Sequence, residues 1–92
     1  MFYYTYILQS IKYKTFYIGY TSNLKKRLQE HNSSKSLATK PYIPYKLIFY
    51  EAFLHQVDAK NREEYLKGGY GRKSIKALLK RYLNNTSNPK ER

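Results

Sequence analysis

Hydrophobic and polar positions change their spacing several times along this chain, and each change marks a predicted element. Residues 2–9 form an almost unbroken aromatic and β-branched run, which is typical of a strand buried on both faces. The polar residues 10–14 predict a hairpin loop, and residues 15–20 predict a second strand antiparallel to the first. Gly19, near the end of that strand, indicates a close backbone approach or a bend.

Helical spacing and one long polar segment follow the second strand. A helix is predicted to begin near Asn23, with Thr21 or Ser22 as its cap, because these side chains accept hydrogen bonds from free backbone N–H groups. Residues 32–45 are rich in Ser, Lys and Pro and predict a loop, and a loop of this length in a compact domain indicates a function. Residues 46–53 then predict a third strand.

Two further helices complete the predicted fold. The first covers residues 56–67 and ends at two consecutive glycines, and the second covers residues 72–83, where apolar residues recur at helical spacing. We expect residues 1–83 to form one domain and the polar residues 84–92 to form a flexible tail. The order β-β-α-β-α-α predicts an α/β chain of the α+β type, with a small, three-stranded, mainly antiparallel sheet flanked by helices. The apolar positions of the last helix are Ile75, Leu78, Leu79, Tyr82 and Leu83.

Charge is the strongest feature of the composition. Eighteen Lys and Arg residues oppose six Asp and Glu residues, which gives a formal net charge of +12. A field of this sign attracts polyanions, and nucleic acid held through its phosphates is the partner it favours. The alternative is a basic surface that only confers solubility. Twelve Tyr residues add groups that stack on bases or donate to phosphates, although most of them fall in strand-like runs that suit a core.

The composition also argues against several classes of protein. The chain has no Cys, which excludes a disulfide framework and a thiolate metal site. No segment has the length and hydrophobicity of a transmembrane helix, and the first residues lack the pattern of a signal peptide. We therefore expect a cytoplasmic monomer with no membrane partner and no obligate protein partner.

A small set of polar side chains suits phosphodiester hydrolysis. This reaction needs an activated water, donors to the phosphate oxygens and a divalent cation that a carboxylate can hold. Tyr6 and Tyr17 supply hydroxyl groups, and Arg27 supplies a bidentate phosphate donor. His31 supplies a group for proton transfer, and Glu63 supplies a carboxylate that helical spacing places beside the apolar face of its helix.

Each of these residues also has a simpler interpretation. The two tyrosines suit cross-strand positions of a sheet. His31 suits the C-terminal end of a helix, where it interacts with the helix dipole. Glu63 suits an i,i+4 ion pair with Lys67. Taken singly the residues favour these interpretations, whereas their combination in one basic chain favours a site.

Five sequence elements, in order, resemble the GIY-YIG nuclease domain, in particular the small bacterial proteins that consist of that domain alone. Tyr-Thr-Tyr at residues 4–6 keeps the final tyrosine of the first family motif, and Tyr-Ile-Gly at residues 17–19 preserves the second. Arg27 and His31 match the arginine and the histidine of the first family helix. The run Arg-Glu-Glu-Tyr-Leu-Lys at residues 62–67 is similar to the family helix that carries a metal-binding glutamate.

This resemblance implies a role for each candidate residue. Glu63 would bind one Mg²⁺ or Mn²⁺ ion, weakly without substrate because only one clear carboxylate serves the metal. Arg27 would stabilise charge on the phosphoryl oxygens. Tyr17 would activate or orient the attacking water, Tyr6 would position the water or the phosphate, and His31 would assist proton movement.

Basic and aromatic residues of the long loop and the last helix are predicted to bind the nucleic-acid backbone. These predicted contacts are Lys35, Lys40, Tyr42, Lys46, Arg72 and Lys73. We predict a metal-dependent endonuclease that hydrolyses phosphodiester bonds of nucleic acid, with DNA selected by its structure rather than its sequence, as family behaviour implies. The alternatives are a non-catalytic DNA- or RNA-binding module on the same fold and a small RNA-associated protein whose tyrosines stack on bases.

Overall fold

The structure is a computed structural model, and it describes residues 1–87. It confirms the predicted α+β architecture of a three-stranded antiparallel sheet with flanking helices. The strands are β1 (Tyr3–Ser10), β2 (Phe16–Thr21) and β3 (Tyr45–Phe53). The helices are α1 (Leu24–Asn32), α2 (Gln56–Lys67), α3 (Gly71–Leu78) and α4 (Lys80–Ser87), with a short 3₁₀ helix at Lys40–Tyr42. No helix in this part of the chain is long and apolar enough to cross a membrane.

The central strand of the sheet is β1. It pairs antiparallel with β2 on one side and with β3 on the other, so β2 and β3 are the edge strands. This central position explains why every residue from Thr5 to Ser10 is buried. The predicted hairpin between the first two strands, and the prediction that the first strand is buried on both faces, are therefore confirmed.

Alternate residues of β1 face two separate hydrophobic cores, because successive side chains of a strand point to opposite sides of the sheet. Tyr6 packs with Tyr45 and the apolar residues of α1, on the side that we call the α1 face. Ile7 packs with Leu66 of α2 and Ile75 of α3, on the side that we call the α2–α3 face. Helices thus cover both sides of the sheet, and β2 and β3 form its two edges.

The N-terminal cap of α1 is Asn23, one residue after Ser22 and two after Thr21, the two predicted caps. The Asn23 side chain accepts a hydrogen bond of 3.1 Å from the backbone N–H of Lys26, and Asn23 has the extended backbone conformation of a cap. Thr21 instead holds the cap residue, because its hydroxyl accepts a hydrogen bond of 3.1 Å from the backbone N–H of Asn23. The prediction that Thr21 or Ser22 caps the helix is wrong, although Thr21 helps to fix the cap.

The single helix predicted over residues 72–83 consists of two helices. Leu79 leaves the helical conformation and separates α3 from α4, which continues through Ser87. The side of α3 that faces the core carries the buried Gly71 and Ile75 and the partly buried Leu79, which are spaced four residues apart. Leu78 does not lie on this side and is 47% exposed. The last residues of the chain, 88–92, lie outside the described part, and the predicted tail is helical over residues 84–87.

Helices α2 and α3 meet at a tight junction. Gly68 ends α2, as the pair of glycines predicts, and its backbone N–H donates to the Tyr65 carbonyl. Gly71 begins α3 and is buried, and a Cβ atom at this position would overlap the Leu66 carbonyl group. Only glycine fits there without a backbone shift, and the junction turns α3 back onto the sheet.

Candidate active site

The register of β1 and β2 places Tyr6 directly opposite Gly19. A Cβ atom at Gly19 would lie 2.5 Å from the Tyr6 hydroxyl oxygen, so the phenol ring passes over the glycine where a side chain would collide with it. The close approach predicted at Gly19 is therefore made by Tyr6. The Tyr6 side chain is only 2% exposed and carries its hydroxyl group across to β2.

His31 holds the Tyr6 hydroxyl from the last turn of α1. Nε2 of His31 lies 3.0 Å from the Tyr6 hydroxyl oxygen, and Nδ1 lies 2.9 Å from the hydroxyl oxygen of Thr39. The Thr39 hydroxyl oxygen also lies 3.4 Å from the Ser36 carbonyl oxygen, which can only accept, so we assign the Thr39 proton to that carbonyl and the Nδ1 proton of His31 to the Thr39 oxygen. Nε2 of a neutral ring is then unprotonated and accepts the Tyr6 O–H. All of the polar atoms of this buried imidazole are satisfied.

The protonation states of His31 and Tyr6 agree with this direction of donation. Burial, with a smaller contribution from the positive charge of Arg27, lowers the pKa of His31 to about 4. Burial raises the pKa of Tyr6 to about 12. Near neutral pH the pair is therefore an uncharged phenol that donates to an uncharged imidazole.

Arg27 places a permanent positive charge beside this pair. Burial by itself would lower its pKa, but hydrogen bonding to Glu30 and to the Tyr6 hydroxyl outweighs that effect and raises the pKa. The guanidinium Nη1 lies 2.9 Å from Oε1 of Glu30, which leaves the other guanidinium donors for a second anion. Arg27 is one helical turn before His31, so α1 presents both side chains to the same hydroxyl group.

Tyr17 completes the cluster from β2. Its ring centroid lies 4.7 Å from that of His31 and 6.4 Å from that of Tyr6, and the ring is half-buried. Tyr17 is thus more accessible than Tyr6. The structure brings together Tyr6, Tyr17, Arg27 and His31.

Glu63 approaches the cluster from α2. The preceding residue, Arg62, donates to Glu51 of β3 at 2.7 Å and fixes the rotation of the helix, so Glu63 points about 100° away from that contact. The side chain of Glu63 is 15% exposed, and its Oε2 lies 2.9 Å from Nζ of Lys67. Burial is the main cause of the raised pKa of Tyr6, and the negative charge of Glu63 adds to it, which places the carboxylate within electrostatic range of the hydroxyl.

Comparisons with known proteins identify the family. The family model of the GIY-YIG catalytic domain matches residues 2–76. The chain belongs to the GIY-YIG family. At the level of the family this is a nuclease domain.

Small GIY-YIG relatives cover most of the chain. A UPF0213 protein of Lactococcus lactis is 43% identical over 82 residues, which are 88% of this chain and 78% of that protein. A UPF0213 protein of Clostridium perfringens is 38% identical over 65 residues, 70% of this chain and 69% of that protein. The solution NMR structure of a UPF0213 protein of Bacillus halodurans superposes with a TM-score of 0.52 at 27% identity, covering 85% of each chain.

GIY-YIG nucleases generally use a divalent metal, and the donors around Glu63 suit one weakly held ion. Residues 1–87 contain no group of three or more His, Cys, Asp or Glu side chains that could hold a metal. Mg²⁺ nevertheless binds proteins through one or two carboxylates, with water and substrate phosphate as its remaining ligands. Glu63 already holds the ammonium of Lys67 on Oε2, and no hydrogen bond within the described residues reaches Oε1. One hard carboxylate oxygen is therefore available.

The residues predicted to bind the nucleic-acid backbone do not form one patch. Lys40 and Tyr42 lie on the loop that carries Thr39, on the α1 face. Lys46 points to the opposite side of the sheet, where its ammonium lies 5.0 Å from the ring centroid of Tyr82. Lys35, Arg72 and Lys73 are exposed, and none of the six predicted contacts forms an ion pair within residues 1–87.

Thr39 is the site residue that the sequence analysis missed. It is fully buried, and its hydroxyl fixes the ring of His31 from a loop that is eight residues further along the chain. The sequence around it carries exposed lysines and prolines, so no hydrophobic spacing marks it as buried. Only the folded path of the loop brings Thr39 to His31.

Proposed function

We propose that this chain is a single-domain, divalent-metal-dependent endonuclease that hydrolyses phosphodiester bonds of nucleic acid. The observation that carries the proposal is the buried Tyr6–His31 pair with the Arg27 guanidinium beside it and the Glu63 carboxylate within electrostatic range. A buried, fully satisfied polar cluster that ends in an arginine suits the binding of an anion next to hydroxyl groups. The net charge of +12 favours nucleic acid as the source of that anion.

Arg27 binds the phosphate in this proposal. Its guanidinium keeps its charge at every physiological pH and offers donors on the side away from Glu30. Donors that are already in place where negative charge develops stabilise a transition state without reorganisation. The contact with Glu30 holds the guanidinium in one orientation for this purpose.

Tyr6 and His31 position the reacting groups. The Tyr6 proton is directed into Nε2 of His31, so the oxygen of Tyr6 presents its lone pairs to the N–H donors of Arg27 and to the O–H of a water at the site. A phenol with a pKa of about 12 does not act as a base at neutral pH, which supports a positioning role for Tyr6 in this proposal. Tyr17, more exposed and in contact with the same imidazole, orients the attacking water.

Glu63 would hold the metal. A divalent cation bound there supplies a Lewis acid for the scissile phosphate. The Lys67 ammonium occupies one oxygen of the carboxylate, so the affinity without substrate is expected to be low. We further propose that the substrate is DNA chosen by its structure, and that the protein acts as a cytoplasmic monomer.

A cleavage assay tests the proposed function. Supercoiled plasmid and labelled single-stranded and branched DNA are incubated with the protein in Mg²⁺, in Mn²⁺ and in EDTA. We expect metal-dependent cleavage that is lost in Tyr17→Phe and kept in Tyr20→Phe. The control removes a hydroxyl from the same strand, at a position whose side chain points to the other side of the sheet.

The second candidate function is a non-catalytic nucleic-acid-binding module, and the Glu63–Lys67 ion pair favours it. A carboxylate that is neutralised by a lysine within its own helix can be purely structural. In that case no substrate is cleaved in any metal, and salt-sensitive binding is equal in wild type and Tyr17→Phe. This result would replace the enzyme with the binding module.

A further inference from the structure

Two adjoining grooves run along the open edge of β2. The first has a volume of about 710 Å³ and lies between β2 and the turn that joins α2 to α3. The second has a volume of about 600 Å³ and lies between the start of β2 and the helices α3 and α4. Lys14 and Phe16 line both grooves, so the two are continuous at these residues. We refer to the combined feature as the β2 groove.

The β2 groove is lined by cations and by no carboxylate among the described residues. Its basic residues are Lys14, Lys67, Arg72, Lys76 and Lys80. Within residues 1–87 three carboxylates form ion pairs, those of Glu30, Glu51 and Glu63, and of the groove cations only Lys67 takes part. The remaining four basic residues therefore carry charge that this part of the protein does not neutralise.

The β2 groove lies on the α2–α3 side of β2 and borders the candidate active site at two residues. Tyr17 and Lys67 both line its first part. Lys67 is also the partner of Glu63, at 2.9 Å. A polymer that placed one phosphate beside Glu63 and Arg27 would thus have its neighbouring units at the mouth of the groove.

The size and lining of the groove fit one strand better than a duplex. Each part has the volume of a small-molecule site, which is too small to enclose a double helix. The half-buried ring of Phe16 offers an aromatic surface where both parts meet. Cations that follow a backbone, with an aromatic ring between them, are the usual features of single-strand binding sites.

We propose that the β2 groove binds an unpaired nucleic-acid strand next to the phosphate that is cleaved. The inference rests on the proposed function for the identity of the reacting phosphate. The strand runs from Tyr17 and Lys67 past Lys14 to Lys76 and Lys80, with its phosphates on the lysines and one base against Phe16. This path lies on the edge of the sheet, away from the loop that carries Lys35 and Lys40.

The test compares two triple variants with the same change in charge. The groove variant is Lys14→Gln with Lys76→Gln and Lys80→Gln, and the control is Lys12→Gln with Lys25→Gln and Lys60→Gln. All six lysines are exposed, and none of the control lysines lines the groove. Lys14 has a backbone φ of 64°, and glutamine keeps the same unbranched Cβ there as lysine does.

Binding is measured in EDTA by fluorescence anisotropy, with a labelled unpaired oligonucleotide and a blunt duplex of equal length. We expect the groove variant to lose at least about tenfold in affinity for the unpaired strand, with a salt dependence shallower by about 2 in its logarithmic slope, and the control to lose far less. Equal losses in the two variants, or an equal loss for the duplex, would overturn the assignment.

Failure of this inference can be distinguished from failure of the proposed function. Metal-dependent cleavage by the wild type, with strand affinity unchanged in the groove variant, overturns the groove and leaves the nuclease in place. Strand binding that depends on the groove lysines supports the inference, whether or not the wild type cleaves DNA. Absence of cleavage by the wild type counts only against the proposed nuclease activity.

Discussion

On the α1 face of β1, Tyr6 is buried against polar partners, whereas the next residue of the strand, Ile7, is buried on the α2–α3 face against Leu66 and Ile75. The Tyr6 hydroxyl depends on His31, and the imidazole depends in turn on a loop hydroxyl. The apolar contacts of Ile7 need no such partners.

Neighbouring residues of β1 therefore have different partners: Tyr6 contacts the polar side chains of the candidate site, and Ile7 contacts apolar side chains of the core. A substitution of Tyr6, His31 or Thr39 leaves a buried donor or acceptor without its partner, so it changes both the fold and the site. A substitution of Ile7, Leu66 or Ile75 changes packing and removes no hydrogen bond of the Tyr6–His31 cluster. We expect the effects of substitution on stability to decrease in the order Gly71, His31, Gly19 and Thr39.

Gly71→Ala is expected to cost more than about 3 kcal/mol of unfolding free energy, because its Cβ would overlap the backbone carbonyl of Leu66 and backbone cannot move aside cheaply. Gly69→Ala is the matched control, since a Cβ there meets no atom within 4 Å, and it is expected to change stability by less than about 0.5 kcal/mol. Urea denaturation measures both. Equal stabilities would contradict the tight junction of α2 and α3.

Lowering the pH is expected to remove about 3 kcal/mol of stability through His31 alone. The folded-state pKa of about 4 lies below the ordinary value of 6.5, so the unfolded chain binds the proton more tightly and stability falls as pH drops from about 6.5 to 4. Arg27 and Tyr6 face this ring, and Glu30 lies nearby.

The measurement for His31 is urea denaturation between pH 7 and pH 4. Other carboxylates titrate in the same range, so the wild type is compared with His31→Gln, and the difference between the two curves isolates the imidazole. We expect the variant to lose about 3 kcal/mol less over this range. Parallel curves would show that His31 is not buried as a neutral ring.

Gly19→Ala is expected to cost about 2 kcal/mol, less than Gly71→Ala, because its Cβ would meet the tip of the Tyr6 side chain rather than backbone. The main effect falls on the site, since the phenol must leave His31 to make room. Cleavage is expected to drop at least about tenfold. Gly68→Ala, where the nearest contact is an ordinary 3.4 Å to the Tyr65 carbonyl, is the control, and loss of cleavage in both variants would contradict the role of Gly19.

Thr39→Val is expected to have the smallest effect on stability, about 1 kcal/mol, and a specific effect on the His31 ring. Valine cannot accept from Nδ1, so the proton should move to Nε2 and reverse the hydrogen bond with Tyr6. Thr39→Ser should keep the wild-type tautomer. The ring nitrogen shifts of His31 in ¹⁵N NMR distinguish the tautomers, and an unchanged spectrum in Thr39→Val would remove Thr39 from the site.

Much of the fold could be predicted because its signals are local. The aromatic run of β1 identifies the central strand, and the helical spacing that ends at Gly68 gives the bounds of α2. The break at Leu79 was not predicted, because Leu79 continues the apolar spacing and neither Gly nor Pro marks the end of α3. Tertiary packing alone decides where that helix ends.

The candidate site also contains residues that could be predicted from the sequence and one that could not. Tyr6, Tyr17, Arg27 and His31 stand in regular elements whose faces follow from spacing, and the structure brings them together as the family resemblance implies. Thr39 stands in an irregular loop, where spacing carries no information about burial. The roles of these residues in catalysis stay predictions.

The most direct test of the central claim is the metal-dependent cleavage rate of Glu63→Gln beside that of Glu64→Gln. Both variants lose one negative charge at adjacent positions of α2, but Glu64 is exposed and Glu63 is largely covered near Tyr6. The account predicts that Mg²⁺ or Mn²⁺ supports cleavage by the wild type and by Glu64→Gln, and that Glu63→Gln is inactive at every metal concentration. Equal rates in the two variants would contradict a metal-dependent nuclease centred on Glu63.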